Sequence, residues 1–147
     1  MNYTLQFRDV FRNFDYLTEG LQLTVLVSVA AMALAVVIGI ITALARLSHK
    51  QVLRSIAVVY IEAIRNTPLL IQLWLVYFGL EEIGISLSAF TAGLLTLAVN
   101  TGAYTAEIIR AGFESVDKEL LEAAAALGMT PWLTFRTVIL PLGLRAV

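Results

Sequence analysis

The strongest constraint in this sequence is a run of 25 residues, 21–45, that contains no charged side chain. The run is rich in Val, Ala, Leu and Ile. An α-helix rises 1.5 Å per residue, so a helix of this length crosses a hydrocarbon core of about 30 Å. A cleavable signal peptide is a poor alternative, because its apolar region is usually only about 7–15 residues long. The run therefore predicts a first transmembrane helix.

The composition supports this interpretation. Of the 147 residues, 59% are hydrophobic and 14% are charged, whereas a soluble domain has about 25% charged residues. Little of the chain is left for an enzyme domain in water. The net charge of −1 indicates no basic surface for nucleic acid. The sequence lacks cysteine, which excludes thiolate metal sites, and its single histidine, His49, is predicted to be a solvated loop residue.

Further segments extend the predicted membrane architecture. A second apolar stretch, 52–80, is interrupted by Pro68, which lacks an amide hydrogen and predicts a kink near this position. A third stretch, 85–109, contains small residues of the kind that let membrane helices pack closely. Residues 1–18 have the apolar spacing of an amphipathic surface helix, and a short lead-in to the first span is an equal alternative. The predicted class is an all-α polytopic membrane protein.

Basic residues predict the orientation. The turn after the first span holds three of them, the turn after the second span holds none, and four follow from residue 110 onward. Basic residues concentrate in cytoplasmic turns, so the first and third turns are predicted to be cytoplasmic and the N-terminus to be outside. The residues concerned are Arg46, Lys50, Arg54, Arg110, Lys118, Arg136 and Arg145.

Two acid–base pairs with the same spacing interrupt the apolar stretches. Glu62 and Arg65, and likewise Glu107 and Arg110, lie three residues apart, so each pair is predicted to neutralise itself on one helix face. Glu62, Arg65 and Glu107 either border a translocation path or lie at the cytoplasmic interface and fix the depth of their helices. The alternatives of interhelical hydrogen bonding and ligand contact apply to three further residues, Thr67, Asn100 and Tyr104.

After the third stretch, residues 118–127 predict a short exposed helix. Asp117 suits the N-cap, and Gly128 suits a left-handed helix stop. Thr130 and Pro131 then predict the start of another helix, 131–147. The short helix is either a docking surface for another protein or an elbow lying on the membrane.

Three ordered motifs resemble those of a known family. The residues Glu122-Ala123-Ala124, Gly128 and Leu140-Pro141 resemble the EAA loop of bacterial ABC-importer permeases. Upstream, RNTPLLIQ at 65–72 and GAYTAEIIR at 102–110 resemble signatures of the polar amino-acid uptake branch, the histidine, glutamine and arginine permeases. The resemblance covers the chain from Gly20 onward.

The chain also departs from the family pattern. Val138 replaces the usual isoleucine, Glu119-Leu120 stands where Gly-Gln is common, and Asn66 stands where glycine is usual. Family members have about five spans, and the 17 residues 131–147 are too short to complete a fourth. We therefore expect the chain to be the N-terminal portion of a permease.

The resemblance implies a permease subunit of an ATP-driven importer in the bacterial inner membrane, working by alternating access. In the EAA loop, with Pro141 in its last motif, Glu122 would offer polar contact to a cytoplasmic ATPase. Ala123 and Ala124 would permit close approach, and Gly128 would form the tight exit. The implied partners are ABC ATPase subunits, a second permease chain, identical or related, an extracytoplasmic binding protein and the lipid bilayer. The binding protein sets much of the selectivity, so the sequence leaves the amino acid open.

Two other function classes compete with this interpretation. A small self-assembling, proton-coupled transporter would use Glu62 or Glu107 as its proton site. A membrane enzyme would need a cluster of nucleophile, base and metal ligands, and the sequence suggests none. The chain has no Gly-x-x-x-x-Gly-Lys-Ser/Thr phosphate loop. We therefore expect it to be no enzyme and to bind no cofactor or metal, with ATP used by the partner subunit.

Overall fold

The computed structural model describes residues 12–145, and over this range the chain forms helices joined by short turns, without a strand. The predicted all-α class is confirmed. The first four helices are α1 (Phe14–Arg46), α2 (Gln51–Arg65), α3 (Leu69–Trp74, a π-helical turn Leu75–Gly79, then Leu80–Glu82) and α4 (Ala89–Glu114). The last two are α5 (Lys118–Ala126) and α6 (Pro131–Thr134, a π-helical turn Phe135–Ile139, then Leu140–Arg145).

Within residues 12–145, α1 is the one helix long and apolar enough to cross a membrane, and the bent pair α2 and α3 adds a second if it forms a single span. The predicted first span, 21–45, lies inside α1. Of the predicted lead-in, residues 1–11 lie outside the described residues, and α1 already begins at Phe14. Crossing by α4 remains a prediction.

The start of α4 differs from the expected start of the third span at residue 85. The preceding turn contains Gly84 with φ of 86°, and the helix begins only at Ala89. Ser88 caps it, because its hydroxyl accepts a hydrogen bond from the Thr91 amide at 3.1 Å. The expected start at residue 85 was based on apolar residues alone, whereas the turn at Gly84 and the cap at Ser88 set the start of the helix at Ala89.

Helices α1 and α4 pack along a seam of small residues. The buried members of this small-residue seam are Ala31, Ala35, Gly39 and Ala43 in α1 and Ala98, Gly102, Ala103 and Ala106 in α4. A Cβ atom on Gly39 would lie 2.5 Å from Thr105 Cγ2, and one on Gly102 would lie 2.7 Å from Ile38 Cγ2. Both glycines are therefore needed for the close approach of the two helices.

Helix α2 packs on this pair through one large side chain. Ile61 is fully buried and contacts Ala43 of α1 and Ala106 of α4. The neighbouring Tyr60 hydroxyl donates a hydrogen bond to the Val99 carbonyl of α4 at 2.6 Å. Helices α1, α2 and α4 thus pack together as one unit.

Helices α2 and α3 meet at an angle of 103°. Helix α2 ends at Arg65 and α3 begins at Leu69, with Pro68 between them where the sequence predicts a break. Pro68 has no amide hydrogen to donate, and the Thr67 hydroxyl bonds the Ala63 carbonyl at 2.7 Å. The chain therefore turns sharply instead of continuing as one helix.

A buried glutamine donates hydrogen bonds to two backbone carbonyls at this turn. The Gln72 amide nitrogen donates to the Ile64 carbonyl at 2.8 Å and to the Thr67 carbonyl at 2.7 Å. Its amide oxygen accepts a hydrogen bond from Asn100 Nδ2 of α4 at 3.2 Å. Gln72 is only 7% exposed, so one side chain both completes the bend and joins it to α4.

We expect Gly39→Ala to destabilise the chain by about 1–3 kcal/mol, because the new methyl group overlaps Thr105 in the seam. Thermal unfolding in detergent, followed by circular dichroism, measures the effect. Gly20→Ala in the same helix is the matched control, since a Cβ atom there meets no atom within 4 Å. Equal melting temperatures for the two variants would contradict the packing role of Gly39.

Gln72→Leu should cost about 1–3 kcal/mol, because it leaves the Thr67 carbonyl without a donor, whereas the Ile64 carbonyl keeps the Thr67 amide at 3.3 Å. Amide hydrogen exchange should rise locally across residues 64–72 as the bend loosens. Gln22→Leu is the control, because Gln22 is exposed on α1. If both variants melt alike and exchange stays slow across the bend, the role assigned to Gln72 is wrong.

Candidate functional site

Helix α5 lies between α4 and α6 in the chain. Asp117 precedes it in the extended backbone conformation of an N-cap, with φ of −58° and ψ of 132°. Asp117 occupies the predicted N-cap position, although its side chain makes no capping hydrogen bond. Asp117 is exposed, and its backbone carbonyl accepts from the Leu120 amide at 3.1 Å. The helix start is therefore formed by backbone geometry.

The C-terminal end of α5 is a tight glycine turn. Gly128 has φ of 72°, which confirms the predicted left-handed stop. Its amide donates to the Ala125 carbonyl at 3.0 Å, and the Met129 amide donates to the Ala124 carbonyl at 3.1 Å. These bonds satisfy the last carbonyls of α5 and fix the direction in which the chain leaves it.

Helix α6 starts at the cap predicted for it. The Thr130 hydroxyl accepts from the Leu133 amide at 3.3 Å, and Pro131 occupies the first turn. The rings of Phe135 and Phe113 of α4 then meet edge to face at 5.9 Å between centroids. A Cβ atom on Gly143 would lie 2.5 Å from Phe113 Cδ1. Helix α6 is thus packed closely against the end of α4.

The residues of the EAA loop differ in exposure. Glu122, Ala123 and Gly128 are exposed, and Pro141 is exposed on α6. Ala124 is only 3% exposed, so its methyl group faces this chain and is not available to a partner. The surface that α5 presents includes its glutamates, the alanines flanking Ala124, Lys118 and Leu120.

An ion network joins α1 to α4 at the end of the small-residue seam formed by Ala43 and Ala106. Arg46 Nη1 lies 2.8 Å from Glu107 Oε2, and the two side chains are 21% and 19% exposed. Arg110 bonds both Glu107 and Glu114. The predicted local pair of Glu107 and Arg110 is confirmed, and Arg46 and Glu114 extend it. The role of Arg46 in this network could have been expected from its position as the last residue of α1, because a carboxylate on a neighbouring helix is stabilised by a nearby cation.

The second predicted pair does not form. Within the described part of the chain, no ion pair joins Glu62 and Arg65. Glu62 Oε2 instead accepts from Asn66 Nδ2 at 3.0 Å, and the Arg65 guanidinium lies over the Tyr104 ring, 5.4 Å from its centroid. Helix α2 ends at Arg65, and the two side chains take these other partners.

The six candidate path residues therefore divide into two groups. Three are partly buried: Asn100 bonds Gln72, and Glu107 bonds Arg46. The Thr67 hydroxyl bonds the Ala63 carbonyl, and the Thr67 carbonyl accepts from Gln72. Three remain exposed on α2 and α4, namely Glu62, Arg65 and Tyr104. Gln72 was missed as a key residue, although a polar amide four residues after Pro68 in an apolar stretch was a usable signal. No group of metal-binding side chains occurs among residues 12–145.

Sequence comparison identifies relatives with a common description. Residues 35–147 match the family described as binding-protein-dependent transport system inner membrane component. The probable amino-acid ABC transporter permease protein YckA of Bacillus subtilis (strain 168) is 42% identical over 133 residues, covering 90% of this chain and 59% of the relative. The glutamine transport system permease protein GlnP of Escherichia coli (strain K12) is 40% identical over 131 residues, covering 88% and 60%.

A solved structure has a fold similar to that of this chain. A crystal structure described as an amino acid ABC transporter with histidines superposes with a TM-score of 0.93 at 40% identity, covering 99% of this chain and 68% of the other. The chain spans about 60% of the length of the two relatives in sequence. The chain belongs to the family of binding-protein-dependent transport system inner membrane components.

Proposed function

We propose that the chain acts in an ATP-driven importer that moves a polar amino acid, or a close derivative, across the bacterial inner membrane by alternating access. The observation that best supports this proposal is α5, a short helix with Glu122 and Ala123 exposed in a member of an ABC permease family. An exposed helix between two longer ones suits a groove on another protein. We assign ATP hydrolysis to separate cytoplasmic ATPase subunits that bind α5.

The contacts around α5 favour transmission of a push. Gly128 fixes the exit of α5, and Phe113 packs on Phe135 and Gly143. A displacement of α5 therefore acts on α4 and α6 together. Helix α4 in turn is joined to α1 by the small-residue seam and by the ion network at Glu107. In this proposal the ATPase moves α1 and α4 as one body between inward-facing and outward-facing states.

The exposed polar residues of α2 and α4 favour a second permease chain. Glu62, Arg65 and Tyr104 are exposed in this chain, and charged groups at membrane depth face protein or a water-filled path, seldom lipid. We propose that they border the translocation path between two permease chains, identical or related. Arg65 suits the carboxylate of an amino acid and Glu62 its ammonium group. Thr67, Asn100 and Glu107 belong to the same region and serve its internal bonding.

The proposed topology follows the distribution of basic residues. The turn between α1 and α2 and the region around α5 lie in the cytoplasm, and the N-terminus lies outside. The membrane is crossed by α1, by α2 together with α3, and by α4. Helix α6 is the start of a fourth membrane-spanning helix. An extracytoplasmic binding protein delivers the amino acid to the outward-facing cavity.

The proton-coupled alternative is less well supported. Glu107 lies between Arg46 and Arg110, and two cations beside a carboxylate favour its charged form and oppose the uptake of a proton. The family match also favours an ATP-driven mechanism. Glu62 forms no ion pair among the described residues, and the experiment on Arg65 below also tests Glu62.

In the assembled transporter, Gly128→Val should weaken ATPase co-purification by about tenfold, because valine is strained at φ of 72° and redirects the exit of α5. The ratio of ATPase to permease after affinity purification measures the effect. Gly84→Val is the matched control, since Gly84 has a similar φ of 86° in the turn between α3 and α4. Equal losses in both variants, or none in either, would contradict coupling through α5.

Arg65→Gln should lower amino-acid uptake in proteoliposomes by about tenfold, since one charge-assisted hydrogen bond to the substrate carboxylate is lost. ATPase co-purification should remain normal. Glu62→Gln should act in the same direction through the ammonium group. Arg145→Gln, an exposed arginine on α6, controls for the loss of charge. Normal uptake in Arg65→Gln would remove this residue from the proposed path, and uptake driven by a proton gradient without ATP would overturn the proposed function.

A further inference from the structure

A polar groove lies beside the turn that joins α1 to α2. Its volume is about 760 Å³, and it is open on one side. One part of its wall has basic and hydroxyl side chains, and another part has aliphatic ones. The lining residues used below are Arg46, Ser48, Arg54, Ser55, Val59 and Glu114.

The charges of this groove leave a net positive site. Arg46 is paired with Glu107, and the one acidic residue of the wall, Glu114, is paired with Arg110. Arg54 has no ion pair with any residue of the described range 12–145. Lys50 lies next to the groove in the same turn, and the sequence contains no acidic residue between Arg46 and Glu62. An anion in the groove would therefore meet uncompensated positive charge.

The aliphatic side of the groove continues into an exposed apolar face of α2. Val52, Ile56 and Val59 are 71%, 62% and 67% exposed, and their spacing places them on one side of the helix. Hydroxyl groups of Ser48 and Ser55 lie in the polar part. The site thus combines hydrogen-bond donors and cations with an adjoining apolar surface, which is the chemistry of a phospholipid headgroup above its acyl chains.

We propose that this groove binds the phosphate of an anionic phospholipid of the cytoplasmic leaflet, with Arg54 as its main cation. The proposal rests on the proposed orientation, which places the turn between α1 and α2 in the cytoplasm. Basic pockets at this depth attract anionic headgroups. The continuous apolar face of α2 favours a lipid over an acidic segment of a soluble subunit, because such a segment would leave Val52, Ile56 and Val59 uncovered.

The test compares lipid adducts on the detergent-purified chain by native mass spectrometry. The chain is mixed with equal amounts of dioleoylphosphatidylglycerol and dioleoylphosphatidylcholine, which differ in headgroup only. We expect Arg54→Gln to lower the preference for phosphatidylglycerol about fivefold, the effect of one basic residue near an anionic headgroup. Arg136→Gln, an exposed arginine outside the groove, should leave the preference unchanged.

Three outcomes would overturn the proposal. Equal preferences in Arg54→Gln and Arg136→Gln would show that the groove does not select the lipid. Loss of the preference on adding millimolar inorganic phosphate would assign the site to free phosphate. Loss of ATPase co-purification in Arg54→Gln, with lipid preference intact, would make the groove a protein contact. The lipid assay contains no ATPase, so failure of coupling through α5 would leave its result unaffected.

Discussion

Satisfaction of backbone carbonyls at a broken helix is the constraint on which this fold depends. In an apolar environment, a carbonyl without a donor is costly, and water is not present to supply one. At the turn before Pro68, Gln72 donates to the carbonyls of Ile64 and Thr67, and the Ile64 carbonyl also accepts from the Thr67 amide. Because Gln72 also accepts from Asn100, the bend has a fixed position against α4. Gln72 therefore helps to set the direction in which α3 leaves α2.

Local features of the fold could be predicted from the sequence. The uncharged run 21–45 indicates most of α1, since length and apolarity alone decide whether a helix can span lipid. Gly128 and Thr130 mark the end of α5 and the start of α6, because left-handed backbone and N-capping depend on the residue itself and its immediate neighbours. The pair of Glu107 and Arg110 follows from spacing on one helix. Each of these depends on a few adjacent residues.

Features that depend on distant residues could not be predicted. Sequence spacing gave Glu62 and Arg65 the same expectation as the other pair, yet Tyr104 of α4 attracts the Arg65 guanidinium. Likewise, Arg46 is 61 residues from Glu107 in sequence, and only the packing of α1 on α4 brings them together. The small residues of both helices were visible, but a list of small residues does not say which pairs meet. The same limit applies to the candidate site, where exposure divides the path residues into two groups.

The π-helical turn of α6 changes which side of that helix faces α4. A π-helical turn closes its hydrogen bonds one residue later than an α-helical turn, and each residue of an α-helix advances the direction of its side chain by about 100°. Residues after Phe135–Ile139 are therefore out of phase with an α-helical wheel drawn from Pro131. The phase shift brings Gly143 against Phe113 and leaves Leu144 60% exposed. An insertion or deletion within this turn would rotate the end of α6 as a block and bring a bulky leucine to the place where only glycine fits.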